Sequence, residues 1–143
     1  MKTLRLVVIL LLTGLTLQTN ASDEPKKEGI QFFHGTWKQA LAKAKAENKM
    51  IFLDAYTTWC GPCKWMQTKS FPNKQVGDLY NSKFINVKLD MEAGEGLKLI
   101  DRYPVEGFPT LFFIDYEGEV VLKEAGAKTP EQLISFANEA IEQ

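Results

Sequence analysis

The 143-residue chain has two cysteines and one histidine, and that scarcity excludes several kinds of chemistry. A structural zinc site needs four ligands, and two cysteines with the distant His34 fall short. A cysteine protease would need that histidine set against one of the cysteines, and nothing in the sequence aligns His34 with Cys60. Basic charge is scarce too. The 17 Lys and Arg stand against 18 Asp and Glu, a net charge of −1 without the basic footprint of a nucleic-acid binder. No apolar run approaches the ~20 residues of a membrane-spanning helix. The run from Leu4 to Leu17 covers 14 residues and is interrupted by Arg5, Thr13, Gly14 and Thr16. Internal repeats and low-complexity tracts are absent, and no long apolar stretch asks for a second copy, so a monomer is expected.

What the N-terminus does have is an order. Lys2 and Arg5 precede the apolar run Leu6–Leu12, which weakens through Leu17 and closes on Thr19-Asn20-Ala21. Charged, apolar, then small is the order of a secretory signal peptide, here residues 1–21 with cleavage after Ala21. No cysteine lies near the cleavage point to carry a lipid. The mature product is expected in the periplasm or outside the cell. It has 122 residues, enough for one core, with 15 basic residues against 18 acidic ones, a net −3. Residues 22–29 (SDEPKKEG) lack large apolar side chains and read as a flexible leader, leaving residues 30–143 as the domain.

Both cysteines sit in Trp59-Cys60-Gly61-Pro62-Cys63-Lys64. Two thiols with two residues between them can close a small disulfide. Where a turn runs into a helix, the first sulfur meets unpaired backbone N–H groups and the positive end of the helix dipole, which favour thiolate over thiol. A purely structural staple is the alternative, but chain-entropy stabilisation grows with loop length, and this loop constrains little. The pattern points to redox chemistry.

The rest of the chain alternates strand and helix signals. Gln31-Phe32-Phe33-His34 is a candidate strand. Thr36 with Gln39 forms a capping box for a helix that stops at Asn48. Met50–Tyr56 is an apolar run suited to a strand buried on both faces, with Asp54 inside it. Helices are expected over Lys64–Ser70 and Asn73–Asn81, then a half-buried strand over Phe84–Asp90. A short helix runs from Gly94 to near Arg102. Thr110–Asp115 and Glu119–Lys123 read as a hairpin. Thr129-Pro130-Glu131-Gln132 caps a last helix that buries Leu133, Ile134, Phe136, Ala137 and Ile141. The order β-α-β-α-α-β-α-β-β-α predicts an α/β fold, a central mixed sheet flanked by helices on both faces.

Asp54 six positions before the first cysteine, the WCGPCK motif, Gly107-Phe108-Pro109-Thr110 at a strand start and Gly126 before the last helix together resemble the thioredoxin superfamily. The resemblance covers nearly all of residues 29–143, and the helix Thr36–Asn48 followed by Lys49-Met50-Ile51-Phe52-Leu53-Asp54 is similar to that of exported thioredoxin-like proteins. It implies a thioredoxin fold and a thiol-disulfide oxidoreductase that needs no bound cofactor. Cys60 would attack a substrate disulfide, and the more shielded Cys63 would resolve the mixed disulfide. Asp54 would take the Cys63 proton, unless it is a strand-end acid that reaches solvent or caps a neighbour. The lysine that accompanies this acid in cytosolic thioredoxins maps to Asn86, with Lys88 two residues on along the same face.

Pro109 resembles the family's cis-proline, which exposes the backbone of Phe108 to an extended substrate; a trans proline opening a strand is the alternative. Trp59, Gly61, Pro62, Phe108, Pro109 and Gly126 would form the substrate groove, although a tryptophan is as often core. The Gly-Pro spacer resembles reducing thioredoxins. The expected function is reduction or isomerisation of disulfides in exported proteins, with protein disulfides as substrates and a membrane-borne thiol electron donor as partner. A disulfide-donating oxidase, or a chaperone module using the same groove, is the alternative.

Overall fold

Thr36 caps the first helix as its spacing to Gln39 predicts: each donates a backbone N–H to the other's side-chain oxygen, at 3.2 and 2.8 Å. The computed structural model describes residues 27–143, and the expected signal peptide lies outside them. Helix α1 (Trp37–Glu47) ends at Asn48, whose left-handed backbone (φ 49°) turns its N–H back onto the last carbonyls. Strand β1 (Met50–Tyr56) follows, then α2 (Gly61–Lys69), α3 (Lys74–Lys83), β2 (Phe84–Asp90) and α4 (Gly94–Leu99). The hairpin β3 (Thr110–Ile114) and β4 (Val120–Ala125) leads into α5 (Pro130–Ile141), opened by the Thr129 capping box.

The sheet order is β2-β1-β3-β4, with β1 parallel to β2 and antiparallel to β3, and β4 antiparallel to β3. Side chains alternate across it, so β1, β2 and β3 each feed two cores. Ile51, Leu53 and Ala55 join Ile85, Val87, Phe112 and Ile114 beneath α1. Phe52, Phe84, Leu111 and Phe113 face the other way, against Met66 of α2, Tyr80 of α3 and Phe136 of α5. Asp54 and Lys88, at even positions of their strands, belong to this second face.

The expected strand over 31–34 does not form. The Gln31 N–H donates to Asn81 Oδ1 at 2.8 Å, the Asn86 amide donates to Gln31 O, and only Phe33 N–H reaches a strand carbonyl, Asn86 O at 2.7 Å. Side-chain amides thus take the places that a ladder would have used. Of the expected leader, Lys27 and Glu28 are exposed, but Gly29 is buried, so packing already begins there. Its neighbour Gly77 on α3 sits so close that a Cβ would meet the Gly29 backbone at 2.5 Å. Helix α2 starts at Gly61, earlier than expected, because Cys60 itself is the N-cap. In α5 it is Ala140, not Ile141, that is buried; Ile141 is 44% exposed.

Candidate functional site

Strand β1 ends under the start of α2, and this junction carries the cysteines. Cys60 has extended backbone (φ −71°, ψ 111°) and its Sγ accepts the Cys63 N–H at 3.1 Å, in the manner of a helix-capping oxygen. Pro62 lies in the first turn, where a missing N–H costs nothing. Cys60 and Cys63 are joined as a disulfide. Both are buried, at 2% and 1% exposure, so the expected difference in shielding is absent in the disulfide form. Position distinguishes them: Cys60 is the cap, and Cys63 is inside the helix.

Trp59 is 64% exposed and is not core. Its ring meets Phe108 edge-on at 5.9 Å, and its indole N–H donates to Glu92 Oε2 at 2.8 Å. The Phe108–Pro109 bond is cis. Pro109 O accepts the Gly126 N–H at 2.8 Å, and Gly126 has φ +101°, a backbone that favours glycine. Two residues on, Lys128 N–H donates to the Met66 sulfur of α2 at 3.4 Å, and Ser70 Oγ donates to Lys128 O at 2.6 Å. The contacts close a ring from Trp59 through Phe108, Pro109 and Gly126 back to α2. Gly61 and Pro62 are exposed on it, and a Cβ at Gly61 would meet nothing within 4 Å.

Asp54 is 1% exposed, and neither carboxyl oxygen has a hydrogen-bond partner among the described residues. It neither reaches solvent nor caps a neighbour. Burial pushes its pKa up to about 7, and the Lys88 charge pulls the other way. The β1–β2 register pairs Asp54 with Lys88, and Asn86 with Phe52. Lys88, not Asn86, is therefore the lysine beside the acid. Two seven-residue strands paired end to end fix that offset, a signal present in the sequence but not used by motif alignment. The Glu92 bond to Trp59 had no sequence signal. His34 is exposed on the rim of a separate cleft of about 400 Å³ lined also by Phe32, Gln67 and Lys88. Among the described residues no group of His, Cys, Asp and Glu could hold a metal ion, and no helix is long and apolar enough to cross a membrane.

The arrangement can cycle between disulfide and dithiol, with one sulfur at a helix N-terminus and a shifted carboxyl on the face behind it. Residues 37–141 match the family model of the thioredoxin-like domain. Thioredoxin-1 of Drosophila melanogaster is 41% identical over 69 residues, 48% of this chain and 60% of that protein. The thiol:disulfide interchange protein DsbD of Pseudoalteromonas atlantica is 30% identical over 86 residues, 59% of this chain but 14% of the much longer relative. The solution structure of a putative disulphide-isomerase from Bacteroides thetaiotaomicron is 41% identical with a TM-score of 0.70, covering 82% of this chain and 98% of that one. The C-terminal domain of Neisseria meningitidis DsbD, 23% identical with a TM-score of 0.62 over 77% of this chain and 99% of its own, shares the fold. The chain spans 60% or less of the length of these two curated relatives, and its match to the family model over residues 37–141 shows that it belongs to the thioredoxin-like family.

Proposed function

We propose that this protein works outside the cytoplasm, reducing or isomerising disulfides in exported proteins, and that a membrane-borne thiol donor returns it to the dithiol form. The observation that carries the reading is the Cys60–Cys63 pair opening α2, with the buried, unbonded Asp54 on the helix-covered face of β1. The N-terminal signal order supports export. The DsbD relatives, described as thiol:disulfide interchange proteins, support exchange with protein partners.

In the reductive cycle the Cys60 thiolate attacks a substrate disulfide. One substrate thiolate leaves, and a mixed disulfide forms through Cys60. Asp54 carboxylate takes the proton of Cys63. The Cys63 thiolate then attacks Cys60 Sγ, the bond to the substrate breaks, and the second substrate sulfur leaves with the electron pair. The protein is left as the disulfide, with Asp54 protonated. Trp59, Gly61, Pro62, Phe108, Pro109 and Gly126 form the groove that presents an extended substrate to Cys60.

The test is disulfide reduction of insulin by the mature chain under a dithiol supply, beside Cys60→Ser, Cys63→Ser and the double variant. Loss of turnover in all three, with Cys63→Ser accumulating the mixed disulfide, is the expected result. If the double variant keeps the full effect on client proteins, the chain acts as a binding module instead.

A further inference from the structure

Lys88 is placed unusually for a surface-strand lysine. It is half-buried, and among the described residues its ammonium has no carboxylate within salt-bridge distance. A charge on a flexible four-carbon stem would ordinarily extend into water. Here two aromatic rings hold it: Tyr56 at 4.8 Å from the ring centroid and Phe32 at 5.6 Å. The rings come from different elements. Tyr56 ends β1, two residues beyond Asp54. Phe32 belongs to the segment before α1, which Asn81 and Asn86 fasten, and its ring is braced edge-on against the buried Phe71 at 5.3 Å. Tyr56 stays a neutral ring, because burial and the nearby Asp90 and Asp54 raise its phenol pKa.

We propose that Phe32 and Tyr56 are positioning residues that clamp the Lys88 ammonium beside Asp54, so that the acid is a carboxylate at the moment Cys63 must lose its proton. The inference deepens the proposed cycle and rests on Asp54 as proton acceptor. Lys88 is the cation that opposes the burial of Asp54, and Asp54 has no hydrogen-bond donor to share the task. Anything that fixes the ammonium therefore controls how readily the carboxylate forms. Other charges face the pair as well. Asp90 continues β2, Lys27, Glu28 and His34 border the cleft that Lys88 lines, and the dithiol of α2 lies on the same side of the sheet.

The experiment follows the Asp54 carboxyl carbon by NMR across a pH titration of the reduced protein, together with the pH profile of disulfide exchange. Variants are Phe32→Leu, Tyr56→Leu, Lys88→Met, and each ring variant combined with Lys88→Met. Each single ring replacement should move the Asp54 midpoint up by about half a pH unit, and Lys88→Met should move it further. In the Lys88→Met background the ring replacements should add nothing. Phe32→Tyr keeps a ring face and should restore the wild-type midpoint. Equal shifts with and without Lys88, or no shift in variants whose spectra show the native fold, would overturn the clamp. If the midpoint moves as expected but the exchange rate ignores it, the clamp stands and the catalytic reading of Asp54 fails. If the rate follows Asp54 but the rings move neither, the reading stands and the clamp fails.

Discussion

At Asp54 two costs coincide, a carboxyl removed from water and a carboxyl without a donor. Its pKa in the folded chain is about 7 against 3.8 for the free side chain. Between those values the folded state binds the proton and the unfolded state does not, so the Asp54 contribution to stability is fully present at low pH and is lost as pH rises towards the folded value. Asp54→Asn should remove that slope and stabilise the protein at alkaline pH by about 3–4 kcal/mol, measured by urea unfolding from about pH 4 to 9. The same variant should slow resolution of the mixed disulfide and flatten its pH dependence. The cysteines, Asp54 and Pro109 were legible because their signals are local, a short spacing or an acid within an apolar run. Lys88 was placed on the right face but not beside Asp54, because spacing along one strand does not give the register between two. The contacts of Glu92 with Trp59, and of Phe32 with Lys88 and Phe71, had no local signal, since each joins side chains far apart in the sequence.

Among the elements, α2 decides the chemistry, and the close approach of Gly77 on α3 to Gly29 decides how the pre-α1 segment packs. A Cβ at Gly61 meets open space, so Gly61→Ala should change stability by no more than about 0.5 kcal/mol while altering exchange rates, since it borders Cys60. Gly77→Ala should cost about 2 kcal/mol, because its Cβ would fall 2.5 Å from the Gly29 backbone; comparing the two urea midpoints checks both. Elements bounded by capping residues were read closely from sequence. Thr36, Asn73 and Thr129 each bind the third helical N–H of the helix they open. The strand expected at 31–34 failed for a tertiary reason. The Gln31 N–H and C=O are met by the Asn81 and Asn86 side-chain amides in place of a neighbouring ladder, and only the Phe33 N–H reaches a strand carbonyl.

For the whole molecule, the two-sided sheet explains how a chain with a buried acid and a buried dithiol still closes two apolar cores. One core lies under α1 and the other under α2, α3 and α5. The fold was legible because the order of elements and four separated motifs agreed. The cell compartment rests on the N-terminal order of charges and apolar residues, and N-terminal sequencing of the protein from its native cells should find Ser22 first, in an extracytoplasmic fraction. Direction of electron flow is a property of the dithiol's surroundings more than of the fold. Members of the family span from about −270 mV for thioredoxin to about −120 mV for a strong oxidase, a gap of about 7 kcal/mol. The most direct measurement is the reduction potential of Cys60–Cys63, by equilibrating the mature protein with defined thiol-disulfide buffers. We expect a value close to that of thioredoxin, which makes the protein a reductant in need of an electron supply; a value near −120 mV would contradict this and make it a donor of disulfides.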